Sequence, residues 1–449
     1  MKVLLTGGTG LIGKEIGKKL VREGFEVVVI SRDQKKAKMQ LPFPAEIIEG
    51  DLSQGPIQAM PAVDAVIHLL GESVADGRWS EERKKRIYDS RIISTKNLKA
   101  SLKNQKVHLI SASAIGVYPD SADNELDENS KKGDEFLAIV CKDWEAEAAL
   151  ISPTLTIFRI GIVLSENGGA LEKMLFPFRA GLGGALGNGN QWMSWIHIED
   201  LSEAFIWALK NKKLGIFNAV SPNPARNKEF SKALAKSLRR PLGLNVPKMA
   251  LKFLYGEMAS VILSSQKVRP AHLIKEKFSF QFTDLQQTLN QLCKAWAEGE
   301  DLFFAEQYLP TKIDEVFPFF SAAENLESIT PSNLSFKIQK VSTPKIQKGT
   351  LIDYRLKIRG VPVKWRTEIA VWEPGKSFVD QQLIGPYKLW HHTHDFTKMG
   401  EGTLMTDRVR YRSPMGFLGW IVAGALVKKE ISGIFTYRRK VIFDRFFKT

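Results

Sequence analysis

The first residues able to do chemistry stand at the very start of the chain, in Thr6-Gly7-Gly8-Thr9-Gly10-Leu11-Ile12-Gly13. The spacing is Gly7-x-x-Gly10-x-x-Gly13. Glycine allows a tight turn, lets backbone N–H groups approach a pyrophosphate, and lets a following helix pack closely on its strand. The N-terminus of that helix adds a favourable potential for phosphates. Thr6, Gly7, Gly10, Leu11, Ile12 and Gly13 are therefore expected to contact a nucleotide. The second chemical cue is Ser31-Arg32-Asp33. A strand end that carries an acid suits the ribose 2′-OH of NAD. Here Ser31 and Arg32 come first, and a guanidinium suits the 2′-phosphate of NADP through paired, charge-assisted hydrogen bonds. Lys35 and Lys36 add charge, so NADP is expected and NAD is the lesser alternative. Asp51 and Leu52 are placed near the adenine. Leu69, Gly71 and Glu72 are placed near the cofactor ribose.

A glycine pattern alone is weak, because glycine also makes ordinary turns; the elements around it decide. Val3–Leu5, Val27–Ile30, Glu46–Ile48, Ala65–Leu69 and Val107–Ile110 read as strands, with helices such as Lys14–Glu23 and Ser80–Ser101 between them. Such alternation predicts a doubly wound parallel sheet with right-handed crossovers, a Rossmann α/β fold. A further strand is expected over Leu155–Leu164. Residues 1–224 are assigned to this domain and the mostly helical 225–295 to a small lobe that closes over it. Near residue 300 the texture changes to alternating strands, Leu334–Val341, Leu351–Ile358, Lys364–Trp372, Phe378–Leu383, Trp390–Lys398 and Gly402–Tyr411, followed by an amphipathic stretch, Leu418–Phe447. Residues 303–449 are thus expected to form an α+β domain whose curved sheet wraps a helix.

Longer motifs carry a resemblance. Gly7–Gly13, His68-Leu69-Leu70-Gly71-Glu72, Arg78-Trp79-Ser80, Asp89-Ser90-Arg91, Ser111–Gly116, Gly133–Leu137 with Trp144-Glu145, Phe158–Leu164, Gly168–Leu171 and Gln191–His197 resemble the epimerase-family subgroup of extended short-chain dehydrogenases/reductases. The stretch from Pro247 to Phe282 resembles that subgroup's C-terminal module, and the likeness covers about residues 1–293. It implies a serine and a Tyr-x-x-x-Lys pair, in which the phenol moves a proton and the lysine lowers its pKa. Ser113 matches the serine, with Ser111 second. Counting back from Glu145 puts Leu137 at the tyrosine position and Cys141 at the lysine position, so the standard relay is missing. Lys142 is next in sequence but points off that helix face. Tyr118, after the Ser113 strand, and the Cys141 thiol are the candidate replacements, each with plain packing as the alternative. Arg159 is expected at the rim with Asp134 and Glu135, reaching the cofactor. Trp192, Trp195 and His197 are expected to floor a substrate cleft or to pack the lobe.

Residues 303–449 resemble the SRPBCC superfamily of helix-grip folds. The likeness rests on Val316–Ser321, Asn325–Pro331, Trp372-Glu373-Pro374, Phe378-Val379-Asp380 and Trp390–Phe396. It implies an internal apolar cavity, for which Trp365, Phe378, Trp390, Tyr411 and Trp420 are candidate lining residues, with ordinary core as the alternative. His392 and His394 share one strand face and His391 takes the other. With Asp407 on a neighbouring strand the two could bind zinc, but third and fourth ligands are not evident. Cross-strand polar pairing is the preferred reading, and no metal is assigned.

Composition bounds the function classes. The formal net charge is +15, which favours anionic ligands, yet no dense Lys/Arg tract or nucleic-acid motif is present, and no nucleic-acid partner is expected. Two cysteines, Cys141 and Cys293, argue against a disulfide framework. The longest apolar run, Met415–Val427, falls short of the roughly 20 residues that span a bilayer, and no signal peptide is visible. A cytoplasmic monomer or homodimer is expected. Two functions compete. The first is an NADP(H)-binding epimerase- or oxidoreductase-like protein with a degenerate relay, coupled to a domain for an apolar ligand. The second is a non-catalytic NADP(H)-sensing or ligand-binding protein.

Overall fold

The structure is a computed structural model that describes residues 1–413 and 416–447, without the side chains of 416–418 and 421–423. Met415, part of the apolar run singled out above, lies outside the described residues. The chain divides into two compact units, residues 1–34 with 45–294, and residues 35–44 with 295–449.

The first unit is built on a seven-stranded sheet in the order Gly215–Ala219, Leu155–Ile160, His108–Ala114, Ala65–His68, Lys2–Thr6, Glu26–Ser31, Glu46–Glu49. Every pairing in it is parallel. Parallel strands covered on both faces carry near-continuous apolar runs. Leu4, Val28, Val66 and Leu109 accordingly form one buried cluster, sealed by Leu98 and Leu102 of the helix Glu81–Leu102. The α/β class expected from the sequence is present.

The expected strand Leu155–Leu164 is instead two. Leu155–Ile160 joins the main sheet, while Ile162–Ser165 pairs with Trp195–His197 and Gly168–Gly169 in a separate three-stranded sheet. The break falls at Gly161, where a Cβ would lie 2.5 Å from the Ser194 carbonyl oxygen. Only glycine lets the two backbones meet so closely.

The second unit contains a seven-stranded antiparallel sheet. Consecutive hairpins run from Lys337–Val341 through Leu351–Ile358, Val361–Glu373, Ser377–Ile384 and Leu389–Met399 to Gly402–Arg412, which also pairs with Asp301–Leu309. The helix Gly416–Phe446 packs on this sheet, with Ile431 and Phe435 against Val409 and Tyr411, and Ile442 against Leu309 and Met405. This is the α+β unit expected from the change of texture. Among the described residues no helix is long and apolar enough to cross a membrane.

Candidate functional site

The glycine loop leaves the strand Lys2–Thr6 and opens the helix Leu11–Arg22. Gly7 has φ +70°, a backbone conformation that favours glycine. At Gly13 a Cβ would sit 2.3 Å from the Gly7 carbonyl oxygen and 2.7 Å from Gly8 Cα, so the turn closes only without a side chain there. The helix has no side-chain cap at Gly10 and no acidic residue in its first turn. Its first N–H groups thus keep an uncancelled positive potential. Behind the loop, Thr6 Oγ1 lies 2.8 Å from His68 Nδ1 and accepts from Leu69 N at 3.2 Å, while His68 Nε2 lies 2.9 Å from Thr95 Oγ1. Burial pushes the His68 pKa down to about 4. The ring therefore stays neutral and pins the loop to the neighbouring strand. The sequence reading quoted His68 only as part of a motif.

The remaining expected cofactor residues divide. Ser31 ends its strand and its hydroxyl donates to the Asp33 carbonyl at 3.2 Å, with Arg32 exposed beside it. Asp51 accepts from the Ser53 amide and hydroxyl. The Leu52 side chain packs in the core with Leu4 and Val28. Gly71 lies against the Arg91 guanidinium, 2.9 Å from where a Cβ would stand. Glu72 is paired with Arg83 at 3.3 Å.

The relay region is a buried polar network. Ser113 donates to Glu145 Oε1 at 2.9 Å. Arg159 forks onto the same carboxylate, Nε to Oε1 at 2.8 Å and Nη2 to Oε2 at 2.9 Å. Its Nη1 donates to the Tyr118 hydroxyl at 2.8 Å, and that hydroxyl donates to Asn218 Oδ1 at 2.7 Å. Lys132 closes the cluster on Glu145 Oε2 at 2.8 Å. Burial works to raise the Glu145 pKa, but Arg159 and then Lys132 hold it below the usual range.

Three expectations are corrected here. Arg159 is 1% exposed and stands inside the fold, not on a rim, because Glu145 takes its fork. Tyr118 is enclosed, its hydroxyl saturated, and burial pushes its pKa up to about 12, which removes it as a proton carrier near neutral pH. Cys141 is likewise buried, and its thiol is pushed up to about 11 mainly by desolvation. Leu137, on the same helix Phe136–Ala149, packs beside Gly116, where a Cβ would be 3.4 Å from its own. Glu145, known beforehand only as a motif residue, proves to be the centre of the network. Its position two turns along from Leu137 was the available signal.

The expected cleft residues also separate. Trp195 is fully enclosed and donates to the Asn223 carbonyl, so it supports the lobe and cannot floor an open cleft. His197 caps the helix Ile198–Lys210 by accepting from Glu199 N, and it stacks on Phe282 at 3.7 Å. Burial pushes its pKa down to about 4. Trp192 is half-buried between the Arg226 and Lys267 side chains and donates to Asp123.

In the second unit, the sheet and the helix Gly416–Phe446 line a partly open cavity of about 710 Å3. Trp365, Phe378 and Trp390 line it, as expected; Tyr411 packs in the core with Ile431 and Phe435 instead, and Trp420 is not among the described lining residues. His392 and His394 project from Leu389–Met399 toward this cavity, together with Asp380 and Arg438.

Residues 3–136 match the model of the NAD dependent epimerase/dehydratase family, and residues 246–292 match a domain of unknown function, DUF1731. The chain is 35% identical over 301 residues to the "Epimerase family protein YfhF" of Bacillus subtilis, covering 65% of this chain and 98% of that protein. It is 36% identical over 303 residues to the chloroplastic epimerase family protein SDR39U1 homolog of Arabidopsis thaliana, covering 65% of this chain and 86% of the relative. The crystal structure of human epimerase family protein SDR39U1 (isoform 2) with NADPH superposes with a TM-score of 0.59 at 31% identity, over 66% of this chain and 99% of that one.

Proposed function

The chain belongs to the epimerase family, and from that membership we propose that it binds NADP(H) at the glycine loop without the usual proton relay, while its second unit holds an apolar ligand. The observation that carries the nucleotide half is the uncapped helix N-terminus at Gly10, behind a turn that closes only because Gly13 lacks a Cβ. Arg32, exposed past the strand end, supplies the 2′-phosphate contact, and the human relative solved with NADPH supports the choice of cofactor. Ser31, Asp51, Leu69, Gly71 and Glu72 complete the binding groups. Residues 1–224 and 225–295 act as the nucleotide-binding domain and its lobe, and 303–449 as an SRPBCC-like domain whose cavity takes the apolar ligand.

A specific observation favours the non-catalytic form of this reading. In the relay region Leu137 cannot carry a proton, the Cys141 thiol stays protonated, and Ser113 already spends its hydrogen on Glu145. Calorimetry on the full chain tests the cofactor assignment: NADPH is expected to bind more tightly than NADH, and Arg32→Ala to erase most of the difference. Losing a charge-assisted contact of this kind costs about 1.5–3 kcal/mol, a tenfold or greater loss of NADPH affinity. Equal affinities of the wild type for NADPH and NADH would overturn the NADP assignment.

A further inference from the structure

The cavity of the second unit carries a cluster whose geometry goes beyond holding an apolar body. His392 and His394 lie two residues apart on one strand, so both side chains emerge on one face. Cross-strand pairing brings Asp380 opposite His392, and Asp407 opposite His394 from the other neighbour. Asp407 receives one nitrogen from each ring, His392 Nε2 at 3.0 Å and His394 Nδ1 at 2.9 Å. Arg438, from the long helix, stands 3.5 Å from the same Asp407 oxygen and 3.3 Å from His394 Nδ1. The two far nitrogens, His392 Nδ1 and His394 Nε2, converge on Asp380 Oδ2 at 3.3 and 2.9 Å. Asp380, His392 and His394 line the cavity; Asp407 is 2% exposed behind them.

We propose that Asp380, His392 and His394 bind a divalent first-row transition metal ion, with its open positions facing the cavity. Three features support this. Each ring places one nitrogen beside Asp407 Oδ1, His392 Nε2 at 3.0 Å and His394 Nδ1 at 2.9 Å, and a neutral imidazole with its N–H on that nitrogen leaves the other as a lone pair. Without an ion, His394 Nε2–H can donate to Asp380 while Nδ1 accepts from Arg438; in the other tautomer His392 Nδ1, His394 Nε2 and Asp380 Oδ2 are three convergent ligand atoms that a cation can bridge. The spacing also fits within about 0.1 Å: two ligand atoms roughly 2.1 Å from one ion lie about 3.0 Å apart along an octahedral edge and about 3.4 Å along a tetrahedral one. Finally, Asp407 occupies the position of an outer carboxylate that fixes the tautomer and orientation of metal-bound histidines, and Arg438 balances its charge. Two histidines and one carboxylate leave room for exogenous ligands, so the bound molecule would combine an apolar body with an oxygen donor that reaches the ion. The site is independent of the nucleotide assignment.

The test uses the full chain, stripped with a chelator and titrated with Co2+ and Zn2+. One Co2+ per chain is expected, with visible absorption bands of a nitrogen- and oxygen-ligated ion, and Zn2+ is expected to compete for it. His394→Ala and the near-isosteric Asp380→Asn should each weaken Co2+ binding at least 100-fold, and Asp407→Asn, which disturbs only ring orientation, by about 10- to 100-fold. Circular dichroism reports whether each variant folds. A wild type that takes up no stoichiometric Co2+ overturns the proposal. So does a folded Asp380→Asn chain that binds like the wild type. If the variants do not fold, the wild-type stoichiometry and spectrum decide alone.

Discussion

Each unit buries an arginine beside carboxylates, and the surroundings make them different devices. In the first, Arg159 forks onto Glu145, gives its remaining nitrogen to Tyr118, and the chain of hydrogen bonds ends on Asn218 with every oxygen occupied. In the second, Arg438 reaches Asp407 and His394 at 3.3–3.5 Å and lies over the Phe320 and Phe435 rings, its Nε has no hydrogen-bond partner among the described residues, and the imidazoles face a cavity. A satisfied network inside a packed sheet holds the backbone in place and has no capacity left for a ligand. Two imidazoles and a carboxylate on a cavity wall retain that capacity. The place where the family's chemistry would be sought is thus the saturated one, and the open one lies in the other unit.

The largest effect should come from breaking the saturated pair. Arg159→Met would leave Glu145 buried with only Lys132 beside it, and removing one partner of a buried pair costs about 3–5 kcal/mol. Arg438→Met removes the nearest arginine from Asp407, but at 3.5 Å and without a fork, and Asp407 keeps a nitrogen from each imidazole, so its cost should be the smaller of the two. Hydrogen exchange on the full chain reads the two units separately: protection should fall across residues 108–219 in the first variant and fall less across 301–412 in the second. Equal losses would erase the contrast.

Acid should weaken the first unit next. His68 has its pKa pushed down to about 4 by burial, against 6.5 when unfolded. Its neutral form is therefore worth its full contribution above pH 6.5, and that is lost as pH falls from 6.5 toward 4. At about 1.4 kcal/mol per pKa unit the whole window amounts to roughly 3 kcal/mol. A His68→Gln chain should show a shallower loss of denaturant stability between pH 7 and 4 than the wild type. Parallel pH profiles would show that the ring behind the glycine loop titrates freely.

Much of this was legible in the sequence, and the rest was hidden for identifiable reasons. The glycine loop and the alternation of strands and helices are local signals, and both units follow from them. The period-2 pattern that put His392 and His394 on one face was also local. Asp380 stood in the sequence only as part of a motif, because it lies on the preceding strand and only the register that pairs it with His392 brings the carboxylate to the rings. The same holds for Arg159, whose role is set by a helix residue 14 positions earlier. Sequence could say that Leu137 and Cys141 replace the relay; it could not say that Ser113 had acquired Glu145 as a partner. Gly161 was visible but read as part of one strand, since nothing local announces the close approach of Ser194.

The smallest change separates the two readings of the first unit most sharply. Ser113→Ala deletes one hydroxyl that donates to a carboxylate already held by Arg159 and Lys132. As a scaffold bond to a charged acceptor it is worth about 1.5 kcal/mol, a modest loss of denaturant stability with NADPH affinity unchanged. As a proton-donating group in a reaction the same hydroxyl would be worth at least 100-fold in rate with little effect on stability. The full chain, assayed with NADPH against simple carbonyls and nucleotide sugars, is expected to turn over very slowly, and Ser113→Ala to leave that rate as it is. Robust turnover abolished by this single methyl-for-hydroxymethyl change would mean that Ser113 leaves Glu145 to meet a substrate. The saturated network would then be a resting state, and the contrast between the two units would lose its basis.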